Sequence, residues 1–255
     1  MNIRRILMTS LALLCAGVLV CVADEQMAFD QANTAFVQKN YGQAEADYQA
    51  IITRQGFSAP ALFNFANAYY QDGKLGLAIL NYERAELLSP NDADIAANLR
   101  VARAKAGLAD RPTAWFERAT HFFSMNTLSW IGSAAVLFVA MGFLAQQFTQ
   151  RRGLVWRAWM TASVCVLIAA VCAASIQWPE MGQAIVTAKN THMYISPVTV
   201  GQPLLTLAEG QSVTPRKEHG EFAFIETADG QRGWVKRENV SRLIPATQVT
   251  PRIYM

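Results

Sequence analysis

The sequence predicts a multidomain membrane protein built from an α-helical repeat array, a transmembrane helical hairpin and a small all-β barrel, in that order. Three observations carry this fold class. Residue types recur at a spacing of 34 in the first part of the chain, two long uncharged apolar runs flank a short basic loop in the middle, and short β-type runs separated by Gly-containing turns fill the region from Ala184 onward.

The apolar runs are the plainest signal. From Ala119 to Gln150 there is no Lys, Arg, Asp or Glu, and none from Ala158 to Pro179. A bilayer core is crossed by about 20 apolar residues in helical form, which sets the spans at 128–148 and 158–178. In hydrocarbon every backbone N–H and C=O has to be paired within the segment, so two such runs joined by a tight loop fold as a helical hairpin. A core helix of a soluble protein carries a polar stripe, and neither run has one. Arg151, Arg152 and Arg157 lie in the loop 149–157, and basic residues hold such a loop in the cytoplasm. Both flanks are then expected on the opposite side. Trp130, Trp156, Trp159 and Trp178 stand near the span ends, where amphipathic rings favour the interface. Ala169 with Ala173 and Ala170 with Ala174 would let the helices approach closely. With no charged residue in either span there is nothing to line a transport path.

Composition excludes other classes. The 22 basic and 19 acidic residues leave a formal charge of +3, scattered rather than gathered in a basic stripe with aromatics, so nucleic acid is not an expected partner. Each flank falls under about 100 residues, too short for a large core. Cys15 and Cys21 belong to the N-terminal apolar run, Cys165 and Cys172 to the second span, so the flanks hold no disulfide framework. Cys165 and Cys172 share a helix face; in lipid they are expected to pack as small inert groups, with a redox pair as the alternative.

Residues 1–23 have the three parts of a secretory signal: Arg4 and Arg5, an apolar core and the small-residue end Cys21-Val22-Ala23. Cleavage would leave Asp24 first. Retention as a third membrane helix is one alternative. Lipidation of Cys21 is another, weakened by Val20 where Gly or Ala is expected.

Over residues 24–110 the repeat emerges. Ala32 and Ala66, Asn33 and Asn67, Ala44 and Ala78, and Tyr48 and Tyr82 are each 34 apart, the tetratricopeptide period. Leu62, Phe65, Ala66, Tyr69, Ala78, Tyr82, Ala85 and Pro90 stand at that motif's offsets, and Gln71-Asp72-Gly73-Lys74 is its inter-helix turn. The first copy is poorer, with Gln31 at a usually apolar place. Asn91 or Asp92 caps a further helix, Ala93 to Ala106, read as the capping helix that closes the stack. The family's groove positions fall on Phe29, Asn33 and Phe36 in the first copy and on Phe63, Asn67 and Tyr70 in the second. Rings with Asn and no basic residue suit an extended or helical peptide rather than a terminal carboxylate; packing of these rings within the array is the competing expectation. Glu45, Asp47, Glu83 and Glu86 are placed on solvated helix faces.

Asp110-Arg111-Pro112 ends the helices, and the linker 111–127 holds an apolar and aromatic stretch, Trp115 to Phe123, with Glu117 and Arg118 on its other side, an interfacial helix. His121 has no second ligand near it in sequence. From Ala184 the runs Ala184–Lys189, Ser212–Lys217, Phe222–Glu226 and Gly233–Val235 alternate with Glu209-Gly210, His219-Gly220 and Asp229-Gly230, the pattern of a small antiparallel barrel over 184–244. The piece Asp229-Gly230-Gln231-Arg232-Gly233-Trp234-Val235 resembles the bacterial SH3-like domain, which implies a ligand surface at Tyr194, Phe222 and Trp234. The tail 245–255 is unassigned.

No Gly-rich phosphate loop, Gly-x-Ser-x-Gly elbow, His-Glu-x-x-His or Cys-x-x-Cys is present. No catalytic residue, cofactor or metal site is expected. The order of signal, two tetratricopeptide copies with a cap, membrane hairpin and SH3-like barrel is similar to the BatE-type proteins of the Bacteroides aerotolerance (Bat) group. That resemblance implies a non-enzymatic scaffold in the bacterial inner membrane, with both soluble domains periplasmic. Its implied partners are von Willebrand A-domain membrane proteins and a MoxR-type ATPase system, in envelope stress tolerance. Peptidoglycan binding by the barrel is the alternative.

Overall fold

The computed structural model describes residues 26–109, 124–148, 153–198 and 202–245. The candidate signal segment, Trp115 to Phe123 with His121, Arg151, Arg152 and residues 246–255 lie outside the described residues.

Five helices come first: α1 at residues 26–37, α2 Tyr41–Gln55, α3 Ala59–Gln71, α4 Leu75–Leu88 and α5 Ala93–Lys105. Local chemistry starts three of them. The Asn40 side chain accepts from the Gln43 N–H, Ser58 from Ala61, and Asp92 from Asp94 and Ile95, which satisfies amides that the first turn leaves without helical partners. Helix α4 begins after Lys74 with no such side-chain cap. It also differs in burial: Gly76, Ala78, Ile79, Leu80, Asn81, Tyr82, Glu83 and Ala85 are all buried. A helix enclosed on every side needs covering layers on both. Helices α3 and α5 supply one.

Next come α6, Met125–Phe148, and α7, Leu154–Met181. Both are long and apolar enough to cross a membrane, over Asn126–Leu144 and Trp156–Ile176. They start earlier than expected and α7 ends later, so Arg157 sits in α7 rather than in the loop; no helix-breaking residue follows Gly153 to delay the start. The helices pack against each other. Shielded positions on α7 are Trp156, Met160, Ser163, Leu167, Ala170, Ala173 and Ala174, and on α6 Leu128, Ile131, Gly132, Ala135, Val139 and Gly142. Alternating steps of four and three define a heptad seam. Of the two small-residue pairs, Ala170 with Ala174 lies on this seam, whereas Ala169 is exposed outside it. At Gly142 a Cβ would lie 2.6 Å from the Trp159 ring and 2.7 Å from Met160 Sδ. Cys165 and Cys172 are exposed, off the seam.

The β-domain comprises β1 Ala184–Val186, β2 Thr191–Met193, β3 Leu205–Leu207, β4 Ser212–His219, β5 Phe222–Thr227, β6 Arg232–Lys236 and β7 Val240–Arg242. Five strands form an antiparallel sheet in the order β6-β5-β4-β1-β7, and β2 pairs β3 in a two-stranded ribbon. The ribbon joins the sheet where Tyr194 and Trp234 exchange two backbone hydrogen bonds of 2.7 Å. The crossing is tight: a Cβ on Gly233 would sit 2.8 Å from the Tyr194 carbonyl oxygen. Alternation along β5 puts Ala223, Ile225 and Thr227 inside, with Val186, Met193, Leu207, Val213 and Val235.

The second cover of α4 is this β-domain. Glu209 Oε1 accepts from the Gly76 N–H at 2.8 Å, supplying across the domain boundary the cap that α4 lacks locally. Gly76 has no room for a side chain, since a Cβ would be 2.6 Å from the Val186 carbonyl oxygen. Ile185 and Leu243 bury in one cluster with Ile79, Leu80, Leu99 and Ala102. Arg84 donates to the carbonyls of Leu243 at 2.9 Å and Arg242 at 2.8 Å, with its guanidinium 5.2 Å from the Phe57 ring centroid. Burial pushes Arg84 down to about 10, so it is still charged at neutral pH. The flanks of the hairpin, expected as separate domains, are packed into one unit, and so lie on one side of any membrane that α6 and α7 cross.

Candidate functional site

Four of the six predicted groove residues, Phe29, Asn33, Phe63 and Asn67, fall into a constellation that occurs twice. Tyr48 on α2 donates its O–H to Asn33 Oδ1 at 2.6 Å, and Asn64 on α3 donates its side-chain N–H to the same oxygen at 3.2 Å. Thirty-four residues on, Tyr82 donates to Asn67 Oδ1, and Asn98 on α5 donates to it at 3.2 Å. The rings repeat as well: Phe29 lies edge-on to Tyr48 and Phe63 tilts against Tyr82, both with centroids 5.9 Å apart. Because Asn64 and Asn67 are one turn apart on α3, a line of asparagines runs 33–64–67–98 across α1, α3 and α5.

Of the six predicted residues, Asn33 and Asn67 hold the corresponding centres of this line, and Phe29 and Phe63 back them. Phe36 sits apart, against Tyr41 at 5.7 Å. Tyr70 meets a cation: Lys105 Nζ is 4.3 Å from its ring centroid. The expectation of a groove without basic residues is therefore corrected, because α5 brings its last turn beside the second copy. Asn64 and Asn98 were missed, although their own spacing of 34 is the signal that would have found them. Two acidic residues also move from the solvated faces assigned to them. Glu83 is buried with Arg103 Nη2 3.0 Å away, and Glu45 is mostly shielded beside Lys74 at 2.7 Å. Burial raises the Glu45 carboxyl above its ordinary value despite the lysine.

Tyr48 is 1% exposed, and burial pushes its phenol up to about 12; Tyr69 is raised to about 12 for the same cause. In the unfolded chain both ionise near 10, so between 10 and 12 the unfolded state loses protons that the folded state keeps. Stability then falls as pH rises, by up to about 1.4 kcal/mol per unit for each group. Thermal unfolding followed from pH 8 to 11 is expected to hold its midpoint to about pH 9 and drop beyond. A midpoint unchanged at pH 11 would contradict the burial of these two phenols.

On the β-domain, Phe222, Phe224 and Trp234 share one face of the β5–β6 pair. Phe224 stands directly opposite Trp234 with centroids 5.2 Å apart, and His219 meets Trp234 edge-on at 6.3 Å. Tyr194 is held beside Trp234 by the backbone pair already described. Glu226 at the edge of this face takes Arg216 at 3.0 Å and Arg232 at 2.9 Å. Those guanidiniums hold the Glu226 carboxyl below its usual range. Trp234 is half-buried, so it serves the scaffold as well as the surface.

No family model matches the chain, and no curated protein matches it.

Proposed function

We propose that this chain is a non-enzymatic membrane-anchored scaffold of the BatE type, whose tetratricopeptide-like array binds a segment of a partner protein along the asparagine line. The carrying observation is the doubled Phe–Asn–Tyr–Asn constellation. The Asn33 and Asn67 oxygens are engaged within the array. Their amide N–H groups, with the Asn64 and Asn98 oxygens, suit the backbone of an extended segment, and Tyr70 with Lys105 suits a partly acidic one. On this reading the array and the SH3-like β-domain lie in the periplasm, and α6 and α7 anchor them in the inner membrane. The partners proposed are the von Willebrand A-domain proteins and the MoxR-type system of an envelope stress complex.

The test uses the full chain in nanodiscs, with a photo-crosslinking residue at position 101 or 104 on the exposed side of α5, and compares wild type with Lys105→Ala plus Asn64→Ser. Specific crosslinks lost in the double variant are expected. Crosslinks of equal yield, or none at either position in cell envelopes, would remove the groove proposal. Wall binding by the β-domain is the second reading, favoured by the Phe222, Phe224 and Trp234 face with Tyr194 beside it. Sedimentation of the full chain with purified peptidoglycan, unaffected by Trp234→Phe, would end it.

A further inference from the structure

We propose that the outer face of β4, β5 and β6 binds an acidic segment of a partner polypeptide, one with apolar residues between its carboxylates. The inference stands on the β-domain alone and needs neither the groove nor the membrane reading. It gives the ringed face an occupant of a different class from the cell wall.

Strand register builds the face. Opposed residues of an antiparallel pair project to the same side of the sheet. Lys217, Phe224 and Trp234 therefore form one row across the three strands, and His219, Phe222 and Lys236 the next. Glu226 and Arg232 begin a third row, joined by Arg216. An irregularity in β4 decides which residues stand beside the rings. Pro215 opposes Ile225 but Lys217 opposes Phe224, so Arg216 is an extra residue in the ladder. An unbroken ladder would set Arg216 against Phe224 and Glu218 against Phe222. With the bulge, Lys217 and His219 take those places and Glu218 turns to the other side. There Arg242 at 2.8 Å and Arg237 at 3.4 Å hold it.

The bulge thus replaces an acid by cations, and basic residues scattered in the sequence are gathered by register. Arg216, Lys217, Arg232 and Lys236 share the face with one carboxylate, Glu226. Glu226 engages the two arginines, and Lys236 lies 3.4 Å from the largely exposed Glu238, a pair worth little in water. Lys217 is exposed and has no ion-pair partner among the described residues. Cations gathered in this way suit a partner of opposite charge. Ring geometry narrows the class. Phe222, Phe224 and Trp234 are half-buried while Arg216, Lys217 and Arg232 are exposed. The rings therefore offer recesses rather than the protruding apolar surface that enters a bilayer. Trp234 is tilted 57° from Phe224 and 73° from His219, which breaks up a platform for successive bases. Such recesses take single apolar side chains, and cations about 5 Å away on the next strand take the flanking carboxylates.

The test titrates the full chain, in phosphatidylcholine nanodiscs, into a fluorescent peptide that alternates glutamate with leucine and phenylalanine. About eight residues, at about 3.3 Å each, are enough to cross the three strands. One copy carries lysine in place of glutamate, and another serine in place of the apolar residues. Wild type is expected to bind the glutamate peptide, less well at high salt, and both copies at least about tenfold more weakly. Lys217→Glu with Lys236→Gln is expected to lose about tenfold as well. Lys217→Ala carries the same direction of change should the double variant lower the thermal midpoint. No binding by wild type overturns the proposal, as does equal affinity for the glutamate and lysine peptides or for wild type and these variants. Loss on Lys105→Ala, with full binding by the double variant, would put the peptide in the groove and also overturns it. Phosphatidylglycerol vesicles, purified peptidoglycan and oligothymidylate are run in parallel. Any of these bound through Lys217 while the peptide is not would give the face to that other class, and the proposal falls.

Discussion

Gly210→Ala is expected to destabilise the soluble unit by about 2–5 kcal/mol, from left-handed backbone strain of about 1–2 kcal/mol and overpacking of about 1–3 kcal/mol. Gly210 has φ of 84°, and a Cβ there would run into Ile79 Cδ1, with Leu108 Cδ1 a further 3.1 Å neighbour. Ile79 is fully buried on α4 and has nowhere to retreat. Chemical unfolding of the full chain in detergent, read by hydrogen exchange of both α4 and β1, measures the loss. Because the clash lies across the joint, exchange should rise in both elements together. Ile79→Val removes the methyl that a Cβ would strike, so in combination it should recover part of the packing cost and none of the strain. A coupling energy of about 1 kcal/mol or more is expected from the double-mutant cycle. Additive losses would mean that the β3–β4 turn does not sit on α4.

The second large effect is at Asn67. Asn67→Ala takes the acceptor from the Tyr82 hydroxyl, on a side chain 1% exposed, and from the Asn98 amide. A buried donor left without a partner costs about 1–3 kcal/mol, so with the second donor a loss of about 2–4 kcal/mol is expected. Asn67→Asp keeps an oxygen in place and should restore most of it. Asn33→Ala removes the corresponding acceptor from Tyr48 and Asn64 and should cost a similar amount. A loss under about 0.5 kcal/mol for Asn67→Ala, or an Asp variant as poor as Ala, would show that the bonds carry no net stability. These sizes also explain why the groove test above uses Lys105 and Asn64. A variant at Asn67 would weaken the array itself.

Much of the architecture was legible because its signals are local. Uncharged runs of span length give α6 and α7; they lacked only the end turns, where hydropathy alone does not mark a stop. The 34-residue spacing of Tyr48 and Tyr82 with Asn33 and Asn67 is the same spacing at which the hydrogen bonds recur, since equal offsets place equal side chains at equal points of stacked helices. The turns at His219-Gly220 and Asp229-Gly230 mark the ends of β5. Strands β2 and β3 escaped because three residues are too few to display an alternation. Their pairing depends on the Tyr194–Trp234 crossing instead. Of the six residues expected in the groove, Phe29, Asn33, Phe63 and Asn67 come together in the repeated constellation, while Phe36 packs against Tyr41 and Tyr70 against Lys105. No pattern in the chain says that an Asn side chain is already held by a tyrosine behind it.

Periodicity, hydropathy and turn chemistry were enough to set the kinds of elements and their order, because each acts over a few residues along the chain. The joint between the array and the β-domain is of another kind. Gly76 and Glu209 are 133 residues apart, and Arg84 and Leu243 are 159 apart. Contacts over such separations arise only when surfaces built independently meet, and nothing local in either segment encodes its partner. Leu75-Gly-Leu-Ala-Ile-Leu-Asn-Tyr82 did carry a hint, a helix apolar on too many sides for one covering layer. What supplied the other layer, and so made one body of two flanks, was settled by packing in three dimensions.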